Sequence, residues 1–270
     1  MVQGDVKNPG INGGYAFPAG RKLLAISVSP DGREMFATCE KNDRSISILQ
    51  RRIDIETDKW SEWSEAGFSN AGTINGFANM LGDGEHLLFV SNRNKSAGLD
   101  VYVARRNENG VWGNPEPVVN VNTAMDECSL FVHPDGETVY FSTNGRGGCG
   151  GYDVFSGSLS SLKNVFSISD VVNQKQFNTF RNESFPLYVY GVSGKAFLSF
   201  RRNSSSVICS AIGDVNNAVP VFFLDVVTLD SETKKPVRAI VRLVRIGGRT
   251  SGITLRTASD MHGRAPFTVR

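Results

Sequence analysis

The densest run of chemistry-capable residues is "TNGRGGCGGYDVF" (143–155), where Gly145, Gly147 and Gly150 spell G-x-G-x-x-G. It follows the strand-like "ETVYFS", and Asp170 stands twenty residues beyond Gly150. That spacing matches a pyrophosphate cradle, in which glycines admit close backbone approach and a following helix aims its N–H groups at phosphate. The residues that follow, "YDVFSGSLSS", are aromatic and β-branched and are interrupted by Gly157, which predicts a strand. Without the helix the loop reads as a turn, and no cofactor is expected. The chain has no G-x-S-x-G elbow, no H-E-x-x-H and no P-loop. His86, His133 and His262 are far apart, and the first two, beside predicted turns, read as surface residues. Asp126 and Glu127 are adjacent, so on a strand they point to opposite faces, a poor arrangement for a glycosidase pair. Cys39, Cys128, Cys149 and Cys209 lack C-x-x-C spacing and nearby histidines. They predict small buried or loop residues and no zinc site, with a disulfide left open for an exported protein. No catalytic, cofactor-binding or metal-ligating residue is assigned, and the chain is expected not to be an enzyme.

The elements that must position these residues come from a repeat. "SPDGREMFAT" (29–38), "LGDGEHLLFVSN" (81–92) and "HPDGETVYFSTN" (133–144) are one phrase, with Asp-Gly pairs at Asp31, Asp83 and Asp135, 52 residues apart both times. A weaker copy, "GVSGKAFLSFRRN" (191–203), places Ser193-Gly194 in the turn. Each pair lies between apolar runs, the signature of a tight hairpin. Strands upstream are "LLAISV", "INGFANM", "CSLFVH" and "FPLYVY"; third strands are "SISILQRR", "LDVYVARR", "YDVFSGSL" and "SVICSAI". Polar segments holding Trp60, Trp63 and Trp112 supply a fourth strand to two repeats. Four strands per roughly 50 residues predict an all-β chain of propeller blades, near 20–72, 73–119, 120–172 and 173–217, within a unit 1–217. Four blades make a small ring, so an open arc, or one completed by upstream sequence, is expected. The glycine loop then joins the second and third strands of a blade. Asp153 and Asp100 both open a third strand. They read as carboxylates accepting loop N–H bonds, with ligand or Ca²⁺ binding as the alternative.

Composition is that of a globular protein: 270 residues, 40% hydrophobic and 21% charged, with no apolar run near the roughly 20 residues that span a bilayer. "MVQGDVKNPG" shows no secretory signal, which predicts either a cytoplasmic protein or a chain without its true N-terminus. Net charge is +2, but from Thr233 onward nine Lys/Arg face one acid, Asp260. That asymmetry predicts a composition boundary and admits an anionic partner for the tail. From about 218 to 270 the chain reads as a separate partial β-sandwich. "PVFFLDVVTLDSETKKPVRAIVRLVRI" predicts strand, turn, strand, and a further strand pair is expected around Asp260–Gly263. In "VRAIVRLV" the apolar residues alternate with Arg238 and Arg242, a basic face that reads as solvated surface, or as a contact for anionic glycan or lipid headgroups.

The stretch "NVNTAMDECSLFVHPDGETVYFSTNGRGGCGGYDVF" (120–155) resembles TolB-type, WD-like Pro-Asp propeller repeats, especially those of OmpA-family envelope proteins of Bacteroidetes. The likeness rests on Asn122, Thr123, Asp126 and Glu127, on Pro134-Asp135-Gly136, and on Gly150-Gly151-Tyr152-Asp153. The second repeat lacks the Asp-Glu pair, and the fourth keeps Asn178, Thr179, Asn182 and Glu183. Asp230, Thr233, Pro236 and Ala239 resemble the start of a carboxypeptidase-regulatory-like sandwich; only about four of its usual seven strands fit, so it reads as cut short. The resemblance implies a periplasmic, outer-membrane-associated scaffold that binds envelope proteins of type IX secretion or gliding machinery. It further implies that peptidoglycan is gripped only through an OmpA-like domain missing from this chain. No nucleic-acid partner is expected. Asp126, Glu127, Asn144, Arg146, Tyr152, Asp153 and Asp100 are the candidate binding or loop-structuring residues, and Arg238 and Arg242 the candidate anionic-partner face. A peptide- or glycan-binding propeller is the second reading and a propeller glycosidase the third.

Overall fold

In a computed structural model the described residues are 17–269, except 55, 58, 69–71, 95–97, 134, 181, 184, 189–195, 203–204, 212–221 and 245–253. They form strands and turns without a helix. The first sheet runs β1 (Lys22–Val28), β2 (Glu34–Glu40), β3 (Ile46–Asp54) and β4 (Lys59–Trp60), with β5 (Ser64–Glu65) also on β3. The second runs β6 (Asn75–Met80), β7 (His86–Ser91), β8 (Asp100–Arg105) and β9 (Glu116–Pro117). The third comprises β10 (Glu127–Val132), β11 (Thr138–Thr143), β12 (Asp153–Leu162) and β13 (Val165–Asn173), and the fourth β14 (Phe185–Tyr188), β15 (Ala196–Arg202) and β16 (Ser205–Ala211). Every pairing within them is antiparallel, and all but β3–β5 join consecutive strands.

The repeat is legible residue by residue. Val28↔Met35, Met80↔Leu87 and Val132↔Val139 are the same cross-strand pair 52 residues apart. A bulge interrupts the innermost strand of the first three sheets, and Phe77 and Ser129, again 52 apart, take positive φ there (52° and 54°). Gly32, Gly84 and Gly136 each turn at φ near +70°, a conformation that penalises a Cβ. The aspartate before each accepts the N–H groups that follow: Asp83 Oδ1 from Glu85 (2.8 Å) and His86 (3.0 Å), Asp135 Oδ1 from Glu137 (2.9 Å) and Thr138 (2.8 Å). The Ser193–Gly194 turn lies outside the described residues.

The sheets stack as propeller blades. β6 packs against β1, β2 and β3; β10 packs against β6, β7 and β8; β14 packs against β10 and β11. Phe36 and Ile48 of the first blade meet Ala78, Met80, Leu87, Phe89 and Tyr102 of the second under Phe68 and Trp112. The other side of the second blade, Leu88, Val90, Val101 and Val103, meets Leu130, Val139, Phe141 and Phe155 of the third. Each blade alone would expose one of these apolar faces, so stacking is what buries them.

Two expectations require correction. His86 and His133 are buried rather than on the surface, because each hydrogen-bonds the turn aspartate: His86 Nδ1 lies 2.7 Å from Asp83 Oδ2 and His133 Nδ1 3.1 Å from Asp135 Oδ2. The tryptophan segments do hold the fourth strands of the first two blades, as the short β4, β5 and β9, with Trp112 in an isolated bridge to Arg106; the third blade has a longer one, β13. The C-terminal strands β17 (Phe222–Val227), β18 (Ile240–Val244), β19 (Thr254–Ala258) and β20 (Arg264–Val269) pair β17 with β20 and β18 with β19. The Asp260–Gly263 turn thus passes the chain between two sheets, while the 228–237 turn is closed by a Leu229↔Pro236 bridge.

Candidate functional site

Asp126, Glu127, Asn144, Arg146, Tyr152, Asp153 and Asp100 gather at the end of the blades opposite the Asp-Gly turns. The starts of the inner strands of the third and fourth blades are tied there to the third strand of the blade before each. Asn122 receives Val101 N–H (2.7 Å) and donates to the carbonyls of Val101 (3.0 Å) and Val118 (3.2 Å). Asp126 receives Leu99 N–H (2.8 Å), and Glu127 N–H donates to Leu99 O (2.6 Å). The buried Glu127 carboxyl accepts Thr123 N–H (2.9 Å), Thr123 Oγ1 (2.8 Å) and Thr143 Oγ1 (2.9 Å).

The next seam repeats this latch. Asn178 receives Val154 N–H (2.7 Å) and donates to Val154 O (3.0 Å), Asn182 receives Tyr152 N–H (3.1 Å), and Glu183 N–H donates to Tyr152 O (2.9 Å). Glu183 accepts Thr179 N–H (3.2 Å) and Thr179 Oγ1 (2.5 Å). Asn-Thr-x-x-Asp/Asn-Glu is therefore an inter-blade clip: the amide side chain mimics a strand's N–H and C=O, and the carboxylate organises its own lead-in.

The remaining candidates serve the same joint. Asn144 Oδ1 accepts Asp126 N–H (2.9 Å), as Asn92 Oδ1 accepts Ile74 N–H (2.6 Å) one repeat earlier. Arg146 donates to Asn120 O (3.0 Å) and Val121 O (2.8 Å). Tyr152 donates its hydroxyl to Asp126, and burial, then that bond, hold the phenol well above its ordinary range. Asp153, buried, accepts Cys149 and Gly150 N–H at 3.4 Å each, the glycine loop closing over it. Asp100 is buried beside Asp126, and burial, then that neighbour, push its pKa up. Burial raises Glu127 and Glu183 too; the threonine bonds oppose it, and Asp100 and Asp153 respectively add to it. At these two seams the oxygens of Asp126, Glu127, Asp153 and Glu183 accept from protein donors, while Asp100 lies buried beside Asp126.

The opposite end is covered by the C-terminal strands. Arg256 N–H bonds Gly82 O (2.9 Å) and its guanidinium Glu85 (2.8 Å); Thr257 Oγ1 reaches Asp31 (3.2 Å); Arg33 donates to Ala258 O. Arg238 and Arg242 are exposed on this unit, and Arg238 is paired with Glu56 at 3.2 Å. Between the unit and the first two blades lies a cleft of about 1190 Å³ whose walls include Arg52, Glu85, Arg106, Trp112 and Arg242. Arg106 spans its floor: both terminal nitrogens reach Glu34 (2.7 and 2.8 Å), Nε reaches Gly84 O (2.7 Å), and the group stacks on Trp112. Sequence reasoning missed this cleft, because its walls come from positions as far apart as Asp31 and Ala258.

Among the described residues no group of three or more His, Cys, Asp or Glu is arranged to hold a metal, and no helix is long and apolar enough to cross a membrane. Cys39, Cys128 and Cys149 are free thiols.

No family model and no curated protein matches the chain. Among solved structures it is similar to TolB from Acinetobacter baumannii, with 20% identity, TM-score 0.39 and coverage of 65% of this chain and 39% of that one. It is also similar to a putative TolB from Agrobacterium tumefaciens (11% identity, TM-score 0.44, covering 92% and 74%). A periplasmic gluconolactonase from Pseudomonas aeruginosa is a third (12% identity, TM-score 0.35, covering 87% and 71%). The chain thus spans well under half the length of the Acinetobacter TolB chain it matches.

Proposed function

We infer that the chain is a non-catalytic interaction scaffold of the cell envelope, periplasmic and outer-membrane-associated, of the OmpA-family type linked to secretion or gliding machinery. The observation that carries the non-catalytic part is the fate of the motif carboxylates. Glu127 and Glu183 each accept bonds from their own lead-in threonine, and Asp126 is held by Leu99 and Tyr152, so the polar network that resembles an active site serves the joint between blades. A general acid or base needs a proton path to substrate, and these oxygens face protein donors instead. The envelope placement rests on the likeness of residues 120–155 to Pro-Asp repeats of such proteins. Partner binding is assigned to the mixed-charge cleft between the C-terminal strands and the first two blades, where cationic and anionic walls suit a polar protein segment.

The test is binding. Immobilised chain should retain envelope proteins from a membrane extract at about 0.15 M salt and leave purified sacculi in the supernatant. The retained proteins should be lost when Arg242→Glu and Glu85→Arg are introduced together. Salt-resistant sedimentation with sacculi, or turnover of a lactone, peptide or glycoside that Glu127→Gln abolishes in a folded protein, would replace this reading.

A further inference from the structure

We propose that the cleft between the C-terminal strands and the first two blades selects an acidic peptide segment, whose carboxylates pair with Arg52 and Arg242. This rests on the reading of that cleft as the partner site and names the chemistry it recognises. By residue type its walls carry both signs of charge, but almost all of the negative charge is already committed. Asp31 accepts Thr257 Oγ1 (3.2 Å), Glu34 holds Arg106 (2.7 Å), and Asp83 holds the His86 ring (2.7 Å). Asp54 accepts the N–H groups of Glu56 and Thr57 (2.8 and 2.9 Å), and Glu56 itself pairs with Arg238 (3.2 Å). Of the lining acids only the exposed Glu108 has no partner among the described residues.

The positive charge is in excess. Glu85 already serves two guanidinium groups, Arg256 at 2.8 Å and Arg105 at 3.4 Å. Arg242 lies directly across the β18–β19 ladder from Arg256, and its guanidinium has no partner among the described residues. Like charges opposite each other in a ladder are destabilising, and an anion beside them relieves that cost. Arg52 is the second unpaired cation of the lining. It follows Gln50 on the same face of β3, where the Gln50 amide oxygen accepts Trp112 Nε1–H (2.7 Å). A Cβ on Gly110 would come within 3.3 Å of both terminal nitrogens of Arg52, so the guanidinium rests on a bare turn that Gly110 closes at φ 77°. A glycine turn, rather than a carboxylate, sets the place of this fork and leaves its donors open to a ligand.

Size and apolar lining make the occupant a peptide. The cleft holds about 1190 Å³, above the roughly 300–1,000 Å³ of small-molecule pockets. Val111 from the second blade and Ile240 from β18 both line it and remain 61% and 58% exposed. A segment in which acidic residues neighbour apolar ones can place carboxylates on Arg52 and Arg242 and cover these two side chains at once. Arginine–carboxylate pairs of this kind are forked and charge-assisted, which gives them geometric selectivity as well as strength.

The experiment is fluorescence anisotropy of the full chain with a labelled peptide of Glu, Leu, Gly and Ser, beside its twin with Gln in place of every Glu, at about 0.15 M salt. The acidic peptide should bind and the twin should bind at least about tenfold more weakly. Arg52→Gln and Arg242→Gln should each weaken the acidic peptide by about tenfold, the loss of one charge-assisted bond. Both arginines are exposed, so the variants should keep the wild-type circular dichroism and melting curve. Lys163→Gln removes the same charge from the exposed β12–β13 turn and should leave binding unchanged. Equal binding of the two peptides, wild-type affinity in either arginine variant, or an equal loss in Lys163→Gln overturns the proposal. Displacement of the peptide by an equal concentration of inorganic phosphate also overturns it, by showing a small-anion site. If the proposal falls while Arg242→Glu with Glu85→Arg still abolishes retention of the extract proteins, the cleft remains the partner site and only its acidic preference is lost.

Discussion

Replacing Glu127 by glutamine separates the two forces that act on the blade latch. Glu127 is fully buried and accepts three hydrogen bonds, yet burial outweighs them and its pKa lies above the ordinary carboxylate range, with Asp100 contributing in the same direction. The folded protein therefore keeps this proton at a pH where the unfolded chain has already lost it. The group's contribution to stability is full below the unfolded value, about 4.3, and falls as the pH rises through the folded pKa. Glutamine has the shape of the protonated acid. It retains one acceptor for Thr123 N–H but forces at least one threonine hydroxyl to turn from donor to acceptor. Weakening a hydrogen bond to a charged acceptor costs about 1.5–3 kcal/mol, and removing the buried charge returns part of that, so a deficit of about 1 kcal/mol is expected near neutrality. For a chain of this size that is about 2 °C in melting temperature. Only the wild type gains stability on protonation, so the deficit should grow as the pH is lowered from about 8 to about 5. Melting curves of both proteins across that range are the assay. A deficit that shrinks as the pH falls would identify the ionised carboxylate as the stabilising form and refute the reasoning.

Asp153→Ala should destabilise the protein by about 1–2 kcal/mol through loss of the bonds that close the glycine loop, with partner binding unchanged; an unchanged melting curve with lost binding would reverse that role. Cys149 should react with maleimide in the native protein, whereas Cys39 and Cys128, buried with thiols pushed up to about 11 and about 12, should react only on denaturation. Mass spectrometry of the labelled peptides distinguishes the three.

The blades were legible because an Asp-Gly turn is a local event: the aspartate accepts the N–H two residues on, at Asp83 and Asp135 also the one three residues on, and the glycine supplies positive φ. Asp31, Asp83 and Asp135 therefore announced the three hairpins and their period. The same locality explains the errors. His86 and His133 sit beside turns, and nothing in their neighbours' identities reveals that their rings are drawn inward onto Asp83 and Asp135. β13, "VFSISDVVN", carries no tryptophan and was passed over, although it is the longest fourth strand. The motif residues were recognised as a group, but their task depends on Leu99, Val101, Tyr152 and Val154, backbone partners that sequence does not mark. The C-terminal strands were legible but their pairing was not, because each turn fits a two-strand ribbon equally well and the pairing of β17 with β20 is decided by packing across the unit.

The docking of the C-terminal strands has a mechanical consequence. Thr257 and Ala258 are bonded to Asp31 and Arg33, so the chain is clasped across 226 and 225 residues and the blades lie inside the closed loop. A pull on the C-terminal end loads the β17–β20 ladder and, through the 258–264 turn, the clasp at Arg256–Glu85 and Thr257–Asp31, so the first two blades share the load with the strand that follows the fourth. A clasp of this span also forms late in folding, since the first two blades must exist before their turns can receive it and closing so long a loop carries the largest entropic cost. The unit that lies last in the sequence thus holds the first blades in place, and load applied at one end of the chain is felt at the other.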